Sequence, residues 1–100
     1  MKKLSNQEVS EHLSRNLKDW TFDKGVIRRD FGFSNFVEAF SFMTSVALEA
    51  EKADHHPDWS NVYNKVTVAL NTHSAGGITQ LDLDLANRID MIYKNFGRVL

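Results

Sequence analysis

The chain has 100 residues, and at about 100–200 residues per domain it is read as one domain spanning the whole length. Hydrophobic residues make up 42% and charged residues 25%, with 5 Gly and 1 Pro, a globular balance that excludes collagen-like repeats and argues against disorder. Lys+Arg number 12 against 13 Asp+Glu, too little positive charge for a direct nucleic-acid binder. With no cysteine there is no disulfide framework, thiolate nucleophile or Cys-based zinc site.

The start, Met1-Lys2-Lys3-Leu4-Ser5-Asn6-Gln7-Glu8, turns polar after one leucine. It lacks the apolar core of a secretory signal, and no apolar run approaches the roughly 20 residues that span a bilayer, so a soluble cytoplasmic protein with no membrane partner is expected. Ser5 and Glu8 have capping-box spacing, which predicts a first helix carrying Val9, Leu13 and Leu17 at intervals of four.

Asp23-Lys24-Gly25 is a turn signal between β-branched and aromatic residues and predicts a hairpin of Trp20–Phe22 and Val26–Phe33. Ser34 then offers an N-cap for a long helix over Asn35 to Ala53. Stepped at 100° per residue, Phe36, Ala39, Phe40, Met43, Val46, Ala47 and Ala50 form one apolar stripe. Phe42 borders it on one side, and Val37 and Leu48 lie on the other. An apolar arc wider than half the cylinder points to a second covered surface, supplied either by another subunit or by the other helices of the same chain.

From Asn61 to Thr72, Val62, Val66, Val68 and Leu70 alternate with wetter residues, giving two short strands joined at Tyr63-Asn64 or one bulged strand. After the Ser74-Ala75-Gly76-Gly77 loop, Thr79 begins a last helix with Leu81, Leu85, Ile89, Ile92 and Phe96 on one face. The expected class is α+β, in the order α-β-β-α-β-β-α. Short connections and alternating strands favour an antiparallel sheet with helices on one face, the other face being left to solvent or a partner.

Three of the 4 histidines fall at element ends: His55 and His56 where the long helix stops, and His73 after the late strand. Imidazole exchanges protons near neutrality, which makes these the candidates for general acid and base. The plainer account of His55 and His56 is a favourable pairing with the helix C-terminal dipole, and of His73 a loop cap. Neighbouring side chains diverge and no His-x-x-x-His pair exists, so no metal is expected. There is no Gly-x-Ser-x-Gly elbow, and Gly76-Gly77 is too short to cradle phosphate. Asp82 stands three residues after Thr79, the spacing of a capping box, and a carboxylate there could also orient a histidine, His73 being the one proposed. Glu51 is one turn before the histidine pair, and Trp20 and Trp59 are otherwise core aromatics.

The run Glu51-Lys52-Ala53-Asp54-His55-His56-Pro57-Asp58-Trp59-Ser60-Asn61-Val62-Tyr63-Asn64-Lys65-Val66, followed by Thr72-His73 and Gly77-Ile78-Thr79-x-x-Asp82, resembles the signature of the pterin-4a-carbinolamine dehydratase family. The resemblance extends through Phe40 to Ala47 and back to Trp20. It implies four antiparallel strands with three helices on one side. It also implies loss of water from 4a-hydroxytetrahydropterin to give quinonoid dihydropterin, a step that recycles the pterin of aromatic amino acid hydroxylases without metal or organic cofactor. Carried over by position, His55, His56, His73 and Asp82 are the expected catalytic set, with Glu51, Trp20, Pro57 and Trp59 at the substrate.

The resemblance further implies a homotetramer built as a dimer of dimers through the 35–53 helix. Some animal members also act as dimerisation cofactors of a homeodomain transcription factor through that helix surface, which would add a nuclear location. Leu81 stands where those members tend to carry a basic residue, a departure that bears on the regulatory partner and not on the pocket. The second functional class is therefore a binding module, non-catalytic or dual-role, using the face around Phe42.

Overall fold

A computed structural model describes residues 1–96 of the chain. Helix α1 (Asn6–Asn16) starts at the expected box: the Ser5 hydroxyl accepts from the Glu8 amide at 3.1 Å and the Glu8 carboxylate from the Ser5 amide at 2.8 Å. It buries Val9 and Leu13, and Leu17 follows them inward. Strands β1 (Thr21–Asp23) and β2 (Val26–Gly32) pair through a two-residue loop in which Lys24 and Gly25 have φ of 52° and 77°. Two successive left-handed residues match the twist of the flanking strands.

Helix α2 (Phe36–Ala53) is capped one residue later than expected, by Asn35 instead of Ser34. The reason is legible in the spacing. Three residues beyond Asn35 stands Glu38, whose amide donates to the asparagine oxygen at 2.9 Å while its carboxylate accepts from the Ser34 amide at 3.2 Å. Three residues beyond Ser34 stands Val37, which can accept nothing.

Strands β3 (Asp58–Val62) and β4 (Lys65–Leu70) form a second hairpin around Tyr63-Asn64, the first of the two arrangements open to the sequence. Val62, expected in the core, is 74% exposed. The turn resets the side-chain phase: Val62 pairs with outward Lys65, while Asn61 pairs with inward Val66. All pairings are antiparallel, in the order β1-β2-β4-β3. Ile27 and Phe31 of β2 and Val66, Val68 and Leu70 of β4 are buried on the side that the helices cover, whereas Arg28 and Asp30 face the open side.

Helix α3 (Gln80–Tyr93) packs chiefly on α2. Its buried face holds Asp82, Leu85, Ala86 and Ile89, with Leu83 at its flank, while Leu81 is only half-buried. The stripe of Leu81, Leu85, Ile89, Ile92 and Phe96 is thus rotated off centre, because the centre includes an aspartate. Phe42 is fully buried in a ring cluster with Phe31, Phe33 and Tyr93, at centroid separations of 4.8, 5.0 and 5.9 Å. It is therefore core and not a docking face. The large apolar residues α2 leaves exposed are Phe36, Val37, Phe40 and Leu48, the last three at 71%, 55% and 64%.

Arg29 points inward from β2 and donates to Asp90 at 2.7 Å, its guanidinium 4.5 Å from the Phe31 ring centroid. The Trp20 indole donates to the same carboxylate oxygen at 2.9 Å. Burial pushes the Asp90 carboxyl above its usual range, while these two donors pull it down. No helix of the described residues is long and apolar enough to cross a membrane.

Candidate active site

The site begins with the way α2 stops. Asp54 takes a left-handed φ of 51°, its amide donates to the Glu51 carbonyl at 3.1 Å and the His55 amide to the Ala50 carbonyl at 3.1 Å. This is the Schellman pattern, which satisfies the last carbonyls of the helix and turns the chain sharply. The turn sends two neighbouring histidines in opposite directions. His55 goes inward, 9% exposed, and His56 stays exposed before Pro57 and β3.

The inward ring meets α3. His55 Nε2 lies 2.5 Å from Asp82 Oδ1, and Asp82 is completely buried. The other carboxylate oxygen accepts from the Thr72 hydroxyl at 2.8 Å and from the Thr79 amide at 2.9 Å. Thr72 and Thr79 share a hydroxyl contact of 2.7 Å, and the Leu81 amide donates to the Thr79 hydroxyl. Proton inventory gives this chain one direction. Thr72 spends its only hydroxyl proton on Asp82, so the proton between the two hydroxyls is Thr79's. An ionised Asp82 can only accept at Oδ1, and with the carboxylate in that form His55 Nε2 carries the hydrogen and Nδ1 is the ring nitrogen left to exchange protons.

His56 is held differently, its Nε2 lying 2.9 Å from the carboxylate of exposed Glu51, one turn back on α2. His73 opens a 3-10 turn, His73–Ala75, directly after Thr72. That loop is closed at its base by pairing of Thr72 with Gly77, the Thr72 amide donating to the Gly77 carbonyl at 2.8 Å. His73 is exposed.

Two expectations change. Asp82 was read as orienting His73, but its hydrogen bonds go to His55, Thr72 and Thr79. Its capping-box role with Thr79, offered as the plainer alternative, holds at the same time. Trp20, expected at the substrate, is a core residue tied to Asp90, eight positions along α3 from Asp82 or about 12 Å at 1.5 Å per residue. Trp59 and Pro57 are half-buried beyond His56, Trp59 packing against the core. Sequence reasoning missed Thr72. The signal was its place before His73 on a strand end, which aims a hydroxyl at whatever follows the next cap.

A hollow of about 350 Å³ lined by Asp19, Thr21, Arg28, Arg29 and Asp30 lies by β1 and β2, apart from the histidines. The histidine end is distinguished by its chemistry: two imidazoles each held by a carboxylate, and a third on a tied loop. Among the described residues, no three His, Asp or Glu side chains are grouped so as to hold a metal ion.

The fold is α+β, with His55 and His56 at the end of α2, Asp82 in the first turn of α3 and His73 on the loop after Thr72. The family profile of pterin 4 alpha carbinolamine dehydratase matches residues 2–92. The chain belongs to this family, which is one of hydro-lyases. A protein of Mesorhizobium japonicum assigned as a pterin-4-alpha-carbinolamine dehydratase is 56% identical over 90 residues, covering 88% of this chain and 91% of its own. Another so assigned, from Prochlorococcus marinus strain MIT 9312, is 50% identical over 90 residues, covering 90% and 93%. The crystal structure of a transcriptional coactivator/pterin dehydratase from Brucella melitensis superposes with a TM-score of 0.86 at 42% identity, covering 90% of this chain and 97% of that one. A pterin dehydratase-like protein identified as a RuBisCO assembly factor shares the fold, with a TM-score of 0.61 at 16% identity over 73% of this chain and 84% of that one.

Proposed function

We propose that this protein dehydrates 4a-hydroxytetrahydropterin to quinonoid dihydropterin, regenerating the pterin spent by aromatic amino acid hydroxylases. The observation that carries the reading is the His55–Asp82 pair, which leaves one imidazole nitrogen to exchange protons. In the reaction the C4a–O bond breaks, its electron pair leaves with oxygen, and an acid supplies the proton that makes the leaving group water. A base takes a proton from a ring nitrogen, whose electrons restore the double bond at C4a, so one proton given and one taken balance. His55 is assigned as the base, because Asp82 steadies the positive ring that forms. His56, with Glu51, is assigned as the acid, and His73 as the third proton-exchanging group. Pro57 and Trp59 flank the bound pterin.

The test is dehydration of freshly generated 4a-hydroxytetrahydropterin, followed by absorbance against the uncatalysed background. Intact protein is expected to accelerate it, and a rate equal to background would end the dehydratase assignment.

A second role rests on the exposed side of α2, where the Phe36 and Phe40 rings lie tilted against each other with centroids 5.7 Å apart, on the same side as Val37 and Leu48. This face takes a second copy of the chain. Sedimentation velocity is expected to show a dimer or tetramer, and Phe40→Asp a monomer, because a carboxylate there would be desolvated in the interface. A monomeric parent protein would remove self-association and leave the face to another partner, such as a transcription factor.

A further inference from the structure

The residues ahead of α1 lie across the loop that carries His73. The Leu4 amide donates to the Ile78 carbonyl at 2.8 Å, and half-buried Leu4 packs against the core. The aliphatic stem of Lys3 covers Gly77: a β-carbon on that glycine would meet Lys3 Cε at 3.0 Å, and Cδ and Cγ at 3.4 Å. Gly77 does not adopt the left-handed φ found at Gly25 and Gly76, so what it supplies here is room for the stem. Gly77 is also the residue whose pairing with Thr72 shuts the His73 loop, and Thr72 is a donor to Asp82. Arm, loop base, carboxylate and His55 thus form one continuous set of contacts.

We propose that Lys3 and Leu4 are positioning residues, forming a strap over Gly77-Ile78 that keeps His73 and the Thr72–Asp82–His55 chain in working register. The strap acts through the lysine stem and the Leu4 amide, and the ammonium is not part of it. The claim deepens the dehydratase assignment and rests on it for its kinetic readout alone.

The test uses the whole chain with Lys3→Ala, Lys3→Met, Gly77→Ala and the Lys3→Ala/Gly77→Ala double variant. Dehydration kinetics are read beside NMR of the His73 and His55 rings and amide exchange at Thr72 and Gly77. Lys3→Ala is expected to lower kcat about three- to ten-fold through loss of alignment, to shift the His73 ring signals and to speed exchange at Gly77. Lys3→Met, which keeps the stem, is expected to match the parent protein. Gly77→Ala is expected to resemble Lys3→Ala, with the double variant no worse than either single one, because both break one contact.

Parent-like kcat and an unmoved His73 ring in Lys3→Ala would overturn the proposal, as would Lys3→Met being as slow as Lys3→Ala. A role in stability alone would lower the unfolding midpoint while leaving the kcat of folded protein and the ring signals unchanged, which also overturns it. If the parent protein itself failed to dehydrate the pterin, the functional assignment would fall, and the ring signals and amide exchange would still decide the strap.

Discussion

Replacing Asp82 with alanine is expected to do the most damage of any single change, to stability and to catalysis together. The carboxylate is fully buried and receives His55, the Thr72 hydroxyl and the Thr79 amide. Its removal strands three donors in the interior and deletes the first-turn partner of α3, a loss of about 3–5 kcal/mol on the scale of broken buried pairs. Urea unfolding reads that loss directly. Activity per folded molecule is expected to fall by about 10²-fold or more, since the imidazole loses the group that sets its tautomer.

Asp82→Asn separates the two effects. Its oxygen still accepts from Thr72 and Thr79, so stability falls less. Its amide now faces His55 Nε2, which must give up its hydrogen to accept, leaving the proton on Nδ1. Ring NMR of His55 is expected to show the exchanged tautomer together with a rate nearly as low as that of Asp82→Ala. An unchanged tautomer with full rate would refute the donor direction deduced for this chain of hydrogen bonds.

His56→Ala is expected to show the opposite division. The ring is exposed and is paired with the exposed carboxylate of Glu51, so the unfolding free energy is expected to change by no more than about 0.5 kcal/mol, as for surface changes generally. The dehydration rate is expected to drop by about 10²- to 10⁴-fold, the range of a lost general acid. A variant that kept the rate would transfer the acid role to His73.

These contrasts follow from contacts that differ in how visible they are along the chain. The caps of α1 and α3, the Lys24-Gly25 turn and the element order are legible because each depends on residues three or four apart. Even the Asn35 cap was readable from Glu38. The phase of Val62 was not, because it depends on whether the chain turns at Tyr63-Asn64 or runs on. Which part of the wide apolar arc of α2 faces inward was hidden for another reason: Phe42 is buried because Phe31, Phe33 and Tyr93 converge on it from β2, the segment after it and α3. The partner of Asp82 was the deepest omission. His55 lies 27 residues away, and no local rule chooses between it and the nearer His73. The histidines themselves were recognisable as a set, while their wiring is a property of the folded chain.

The ending of α2 has a mechanical consequence. The His55 amide closes the last turn of the helix on Ala50, and the ring on that same residue is clamped to α3. Unwinding that helix end therefore loosens the ring's hold on Asp82. An enzyme whose reactive group sits on an independent lid can lose activity long before its body melts. With His55 as the proposed base, the last turn of a core helix carries the reactive ring, so heat inactivation is expected to coincide with the first fraying of α2.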